Sequence, residues 1–264
     1  MLSGFVAGCF FLSGAAGLVY EVIWVRLIDK IIGSAPFAVA TVLSVFMAGL
    51  ALGSYLSGRI VDRFTRRDAL LALYGGMEIS IGLCAMLVPL LIHAVQPIYQ
   101  SIYDRLLNHF WCYPVAAFIG CVFILIVPTA LMGATLPVLC RFYVLRLTHI
   151  GARTGWLYGL NTIGAALGVI LCGFVLIKSL GVFMSMVLFA CINGVIGLSC
   201  ILFSRFLKVD NAPSGPLHQH APATPVTAIS HNPHAGTICW GVLIFAVSGF
   251  CAMAYEVLWT RLLG

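Results

Sequence analysis

Phe10-Phe11-Leu12-Ser13-Gly14-Ala15-Ala16-Gly17-Leu18-Val19-Tyr20-Glu21-Val22-Ile23-Trp24-Val25-Arg26-Leu27 is the stretch that decides how this chain reads. It is apolar enough to cross a bilayer as a helix, yet it holds a glutamate, an arginine, a tyrosine and a tryptophan at fixed places. The pattern returns without a gap at 245–262. Ser248-Gly249 repeats Ser13-Gly14, and Tyr255-Glu256-Val257 repeats Tyr20-Glu21-Val22. Trp259, Arg261 and Leu262 repeat Trp24, Arg26 and Leu27. Apolar helices share composition, but composition does not put charged and aromatic residues in register. Internal repeats of this kind build secondary transporters, and parallel halves are one of their forms.

The rest of the chain agrees with a membrane class. Of its 264 residues 62% are hydrophobic and 8% charged, with a mean hydropathy of +1.09. A soluble domain carries about 25% charged residues, so this chain lacks the polar material to face water. Spanning the hydrocarbon takes about 20 apolar residues, and runs of that order occur at 4–27, 36–57, 69–95, 114–139, 156–177, 182–204 and 237–258. Backbone groups in lipid must be bonded within the segment, which selects helices over open strands. The expected fold is all-α, a polytopic bundle of about seven spans. Its divisions are a six-helix half at 1–204, a cytoplasmic linker at 205–236, and the first helix of an incomplete second half at 237–264. Val6-Ala7-Gly8-Cys9 looks like a lipoprotein cleavage box, but no Lys or Arg precedes it, so the first run is expected to stay as a helix.

Charge sets the orientation. Arg59, Arg63, Arg66 and Arg67 follow the second run, Arg141, Arg146 and Arg153 the fourth, and Arg205 and Lys208 the sixth. Arg26, Lys30, Arg105, Lys178 and Arg261 on the other side are fewer and are offset by Asp29 and Asp104. The positive-inside rule then puts the N-terminus in the cytoplasm. The formal net charge of +6 forms no basic stripe interleaved with aromatics, so no nucleic-acid partner is expected. The ten cysteines, except Cys112, fall in or beside apolar runs with no C-x-x-C pair, and read as small buried hydrophobes. Residues 93–113, with Tyr99, Tyr103, Phe110 and Trp111, read as an amphipathic segment at the outer interface. The linker histidines His218, His220, His231 and His234 lie on a Pro-rich tether without metal-binding geometry, so no metal and no cofactor is expected.

Polar residues inside the apolar runs are the candidate sites. A carboxylate deep in a bilayer is costly unless paired, hydrated or protonated. Glu78 should lie nearest the midplane, as a proton carrier or cation ligand. Glu21 and Glu256 lie nearer the outer ends, with Arg26 and Arg261 five residues on. That spacing does not stack the two on one helix face, so an interhelical structural pair is favoured over a coupling role. Asn161 could bond across helices or line a cavity. Gly49 with Gly53, and Gly164 with Gly168, form small-x-x-x-small faces for packing. Pro128 and Pro137 bracket a segment of the fourth run. Gly58, Asp62, Arg63, Arg66 and Arg67 have the spacing of the conformational loop between the second and third helices of the major facilitator superfamily, although Thr65 stands where glycine is usual. In that reading Gly58 permits a close helix end and Asp62 meets a helix N-terminus or an arginine. No soluble-enzyme signature occurs, neither a P-loop nor G-x-S-x-G nor H-E-x-x-H.

Leu12-Ser13-Gly14 with Tyr20-Glu21-Val22-x-Trp24-x-Arg26-Leu27 resembles the first helix of bacterial fused major facilitator/spermidine synthase-like proteins. Met47-Ala48-Gly49-Leu50-Ala51-Leu52-Gly53-Ser54 with Gly58-Arg59 and Asp62-Arg63 is similar to their second helix and loop. Met132-Gly133-Ala134-Thr135-Leu136-Pro137 resembles the fourth, and Tyr158-x-x-Asn161-Thr162-x-Gly164-Ala165 the fifth. The resemblance covers nearly the whole chain apart from the linker. It implies a multi-pass protein of a bacterial inner membrane, whose relatives carry a soluble aminopropyltransferase-like domain after the helices. No such domain is in this sequence, so the chain is not expected to be an enzyme. The expected function is a transporter-like module for a small, cationic, polyamine-like metabolite. The alternatives are a membrane anchor or assembly subunit for a spermidine-synthase-like partner, or a fragment without activity of its own. Expected partners are the lipid bilayer, a second copy or separate chain supplying the missing helices, and a soluble synthase-like protein.

Overall fold

The apolar runs become helices at their expected places and extend beyond them. In the computed structural model, residues 2–64, 66–106, 112–143, 150–210 and 235–263 are described. They form α1 (Leu2–Ile32), α2 (Ala35–Val61), α3 (Arg67–Leu106), α4 (Cys112–Tyr143), α5 (Ile150–Leu171), α6 (Ile177–Ser179), α7 (Gly181–Asp210) and α8 (Ala235–Leu263). A π-helical turn, Cys172–Leu176, carries α5 into α6, so the two make one span with an extra residue wound in. Nothing in an apolar run signals that insertion.

Local chemistry explains the ends. Gly33 takes φ 71° and its N–H bonds Asp29 O at 2.8 Å, stopping α1 in a left-handed cap. Pro36 then falls in the first turn of α2, where its missing N–H costs nothing. Gly181, at φ 77°, makes the sharp turn into α7.

Among the described residues, six helices are long and apolar enough to cross a membrane, and α8 adds a shorter apolar stretch, Ala246–Trp259. All regular structure among the described residues is helical. Two boundaries differ from expectation. The segment expected at an outer interface is largely the last turns of α3, which runs to Leu106. Tyr99 there is buried and donates to Ala117 O at 2.9 Å, because α4 packs along this part of α3 and leaves two of its carbonyls within reach. Arg205 and Lys208 belong to α7 rather than to a linker, since the helix continues to Asp210. Residues 211–234 with the four linker histidines, and also Thr65, Arg146, Phe110 and Trp111, lie outside the described residues.

The chain divides into two compact units, residues 1–210 and 211–264. Within the first, α2 packs on α4, α3 on α7 and α1 on α5. Each pair closes on glycines, because small residues let helix backbones approach where lipid offers no hydrophobic drive. A Cβ on Gly53 would strike the Ala130 backbone, one on Gly164 the Phe11 backbone, and one on Gly75 Gly197 O at 2.6 Å. Gly58 is different. It is exposed, with open space around it among the described residues, and the close approaches seen along α2 fall at Gly49 and Gly53. Cys9, Cys121, Cys172 and Cys200 are buried as expected, whereas Cys191 and Cys251 are exposed.

Candidate functional site

Two apolar clusters fill the first unit. One gathers Tyr20, Trp24, Phe46, Ile81 and Phe189, the other Phe10, Tyr74, Leu139 and Phe142. Tyr74 and Ile81 lie on one face of α3, and Glu78 sits between them where the clusters meet. Its residue exposure is 0%. Ser13 of α1 donates its hydroxyl to Glu78 Oε1 at 2.6 Å. The Tyr74 hydroxyl, one turn earlier on α3, lies beside the same carboxylate. Neither it nor Glu78 Oε2 completes a well-formed hydrogen bond. Tyr20 OH, Trp24 Nε1 and Asn193 Oδ1 are also buried without partners, and these groups all belong to α1, α3 and α7. Tyr20 is within electrostatic reach of Glu78. Asn193 packs against Gly82, one turn beyond Glu78, with 3.4 Å between its Cβ and the position of an added one. A buried carboxylate therefore has one firm donor and a polar surround with capacity to spare.

On the other side of α1 lies a cavity of about 210 Å³ walled by α1, α2, α4 and α5. Ser13, Ser54, Thr135, Tyr158 and Asn161 give it its polar groups, and among the described residues no Lys, Arg or His lines it. Asn161 presses its backbone oxygen and its amide onto Gly14, where only a glycine leaves room. A continuous line of contacts then runs from the cavity wall through Asn161, Gly14 and Ser13 to Glu78. Hydroxyl and amide groups can hold a hydrogen-bonding solute here. Ser13 therefore both lines the cavity and bonds Glu78.

The sequence candidates are thus partly brought together. Asn161 lines the cavity, whereas Glu78 stands behind it with Ser13 between. Ser13 carried a legible signal, since Ser13-Gly14 recurs as Ser248-Gly249, but its partner was not legible. Tyr74 and Asn193 gave no signal beyond being polar. Glu21 is half-buried on α1 outside the cavity lining, and Arg26 is exposed, within electrostatic reach of Cys172 in the π-helical turn. In the second unit, Glu256 and Arg261 are exposed on α8. On α8 the Tyr255 and Trp259 rings lie 6.5 Å apart and tilted by 35°, whereas Tyr20 and Trp24 on α1 stack at 5.8 Å and 14°.

The conformational-loop candidates gather at one end of α2, α3 and α4. Asp62 caps α2 and faces Arg141 of α4 at 4.0 Å. It meets an arginine, then, and that arginine comes from a helix the loop motif does not include. Arg66 forms a two-bond pair with Asp68 at 2.8 and 3.1 Å. Arg59 stacks on Tyr55, and Arg67 lies over Phe142, tying the loop to α4 again.

No curated protein and no solved structure matches the chain. The family model of the Major Facilitator Superfamily matches residues 5–263, nearly the full length. The apolar helices among the described residues, paired through glycines, together with that match, establish that the chain belongs to the Major Facilitator Superfamily, as a multi-pass, transporter-like membrane module.

Proposed function

We propose that the cavity between α1, α2, α4 and α5 binds a small neutral or cationic solute, and that Glu78 couples its movement to a proton or cation. The observation that carries this reading is Ser13, which lines the cavity and also donates to Glu78 at 2.6 Å. With no basic side chain on the wall, an anionic solute would lack a counter-charge. Among the described residues, the acidic group next to the wall is Glu78, which favours amines. A polyamine-like solute and a spermidine-synthase-like partner belong to this proposal on the strength of the family motifs alone. Alternating access moves one half against another, so we propose that the cavity faces a second half, from the same polypeptide, a second copy or a separate chain. A bacterial inner membrane with a cytoplasmic N-terminus completes the reading, supported by the arginines around Asp62 and Arg141.

The test is uptake into proteoliposomes containing the purified chain, with labelled putrescine, spermidine, neutral amino acids and small carboxylates offered in turn. Amine uptake that Asn161→Ala weakens and Glu78→Gln uncouples is the expected result. Carboxylate uptake, or uptake indifferent to both changes, overturns the reading. Binding of a synthase-like protein without any uptake would favour a membrane anchor instead.

A further inference from the structure

A second cavity, about 430 Å³, has a different chemistry. It falls within the size range of ligand pockets, about 300–1,000 Å³. Leu56 and Ile60 of α2 form one wall, Leu73 and Met77 of α3 the other, and Ala130 and Ala134 of α4 the floor. Its one polar lining side chain, Ser57, is already committed to Ala134 O at 3.0 Å. Among the described residues α2 and α3 do not pack on each other, so the cavity is a groove that opens between them. Leu56, Ile60 and Val127 remain exposed along its edge.

One end of this groove is basic on all three of its sides. Arg63 lies seven residues beyond Leu56, Arg66 seven before Leu73, and Arg141 seven beyond Ala134. Arg141 lies close to two helical turns past Ala134 on α4, and Arg63 and Arg66 flank Phe64, which lines the groove from the connection between α2 and α3. Arg63 lies in the turn that follows α2, its N–H bonding Ile60 O at 3.1 Å, and Arg66 stands just before α3, its carbonyl accepting from Leu70 N–H at 3.2 Å. Asp62 and Asp68 offset part of the charge through Arg141 and Arg66. Arg59, Arg63 and Arg67 leave the end positive. An apolar slot with a cationic mouth is complementary to a molecule with an apolar tail and an anionic head. A neutral lipid or a detergent would fill the slot but leave the mouth unmatched.

We infer that the groove between α2 and α3 is a binding site for one anionic phospholipid, its acyl chain lying on α4 and its phosphate at Arg63, beside Arg66 and Arg141 with their aspartate partners. The site is separate from the polar cavity and does not depend on which solute that cavity takes. Basic groups at a membrane surface favour anionic lipids, and here the chain slot fixes where such a lipid sits.

The test uses the full chain, delipidated in detergent and titrated with phosphatidylglycerol, with phosphatidylcholine of the same chains, and with glycerol 3-phosphate. Native mass spectrometry counts bound molecules and a thermal melt follows stabilisation. Phosphatidylglycerol should bind about tenfold more tightly than phosphatidylcholine, and glycerol 3-phosphate should not bind. Arg63→Gln should remove most of that preference and Arg63→Lys should keep it. Val127→Trp, at an exposed lining position, should weaken both lipids. Equal binding of the two lipids overturns the proposal. So does binding of glycerol 3-phosphate alone, or phosphatidylglycerol binding unchanged in both Arg63→Gln and Val127→Trp.

Discussion

Ser13 on α1 and Glu78 on α3 stand 65 residues apart in sequence and are joined by a 2.6 Å hydrogen bond. Glu78 Oε2 already lacks a partner, so Oε1 depends on Ser13. Ser13→Ala would leave the whole carboxylate without a firm donor. Stranding a buried acceptor costs about 1–3 kcal/mol, so the melting temperature of the purified protein should fall by several degrees. Ser13→Thr retains the hydroxyl and should recover most of the loss. A melt unchanged in Ser13→Ala would mean that the bond is not formed in the membrane.

Glu78→Gln separates charge from shape. Glutamine keeps an oxygen for Ser13 but cannot ionise or exchange a proton. Replacing a buried ionisable group by a neutral one of similar volume is often neutral or stabilising, so the melt should hold or rise. Uptake against a gradient should disappear, together with its response to an imposed proton or cation gradient. Exchange of solute across the membrane should persist, because the cavity wall is intact. Loss of exchange as well would mean that the solute touches Glu78 directly.

The contrast between these two residues also marks what a sequence can reveal. Glu78 stands out because an acid in an apolar run violates the cost of burying charge, and that rule is local. Ser13 gains its meaning only from α3, and no rule of composition or period reports a partner on another helix. The same division holds elsewhere. The α2 glycines Gly49 and Gly53 were legible from spacing, yet spacing does not say what faces each one, because a glycine's neighbours are set by which way the helix face turns. Asp62 was legible as a charge that needs a partner, whereas Arg141 was hidden among arginines that the positive-inside rule already explained. Helix positions were easy because lipid imposes length and apolarity, but the π-helical turn changes neither.

Gly53 and Gly58 offer a matched pair on one helix. A Cβ at Gly53 collides with the Ala130 backbone, which cannot move without parting α2 from α4. Gly53→Val should therefore cost more than the 1–3 kcal/mol, roughly, of ordinary overpacking, and show as lost expression or early melting. Gly58→Ala meets only open space and should be neutral, or stabilising by up to about 1 kcal/mol through helix propensity. Equal damage from both would mean that Gly58 is packed against something the described residues do not include.

Asp62 and Arg141 join the α2–α3 connection to the end of α4, but at 4.0 Å and with both side chains well exposed. Exposed pairs contribute about 0–1 kcal/mol and weaken with salt, so Asp62→Asn should leave the melting temperature within a degree or two. Its effect should appear in motion instead. If α2 and α4 separate at this end during the transport cycle, the pair breaks and re-forms each time, and its loss shifts the balance between the two states. Uptake by Asp62→Asn should then change in rate while the solute concentration for half-maximal binding stays near that of the unaltered protein. The exchanged pair, Asp62→Arg with Arg141→Asp, should restore much of the rate. Asp68→Asn serves as the control, because its partner Arg66 is two residues away and their bond joins no helices. A rate unaffected by Asp62→Asn, or no recovery in the exchanged pair, would assign Arg141 to lipid contact alone.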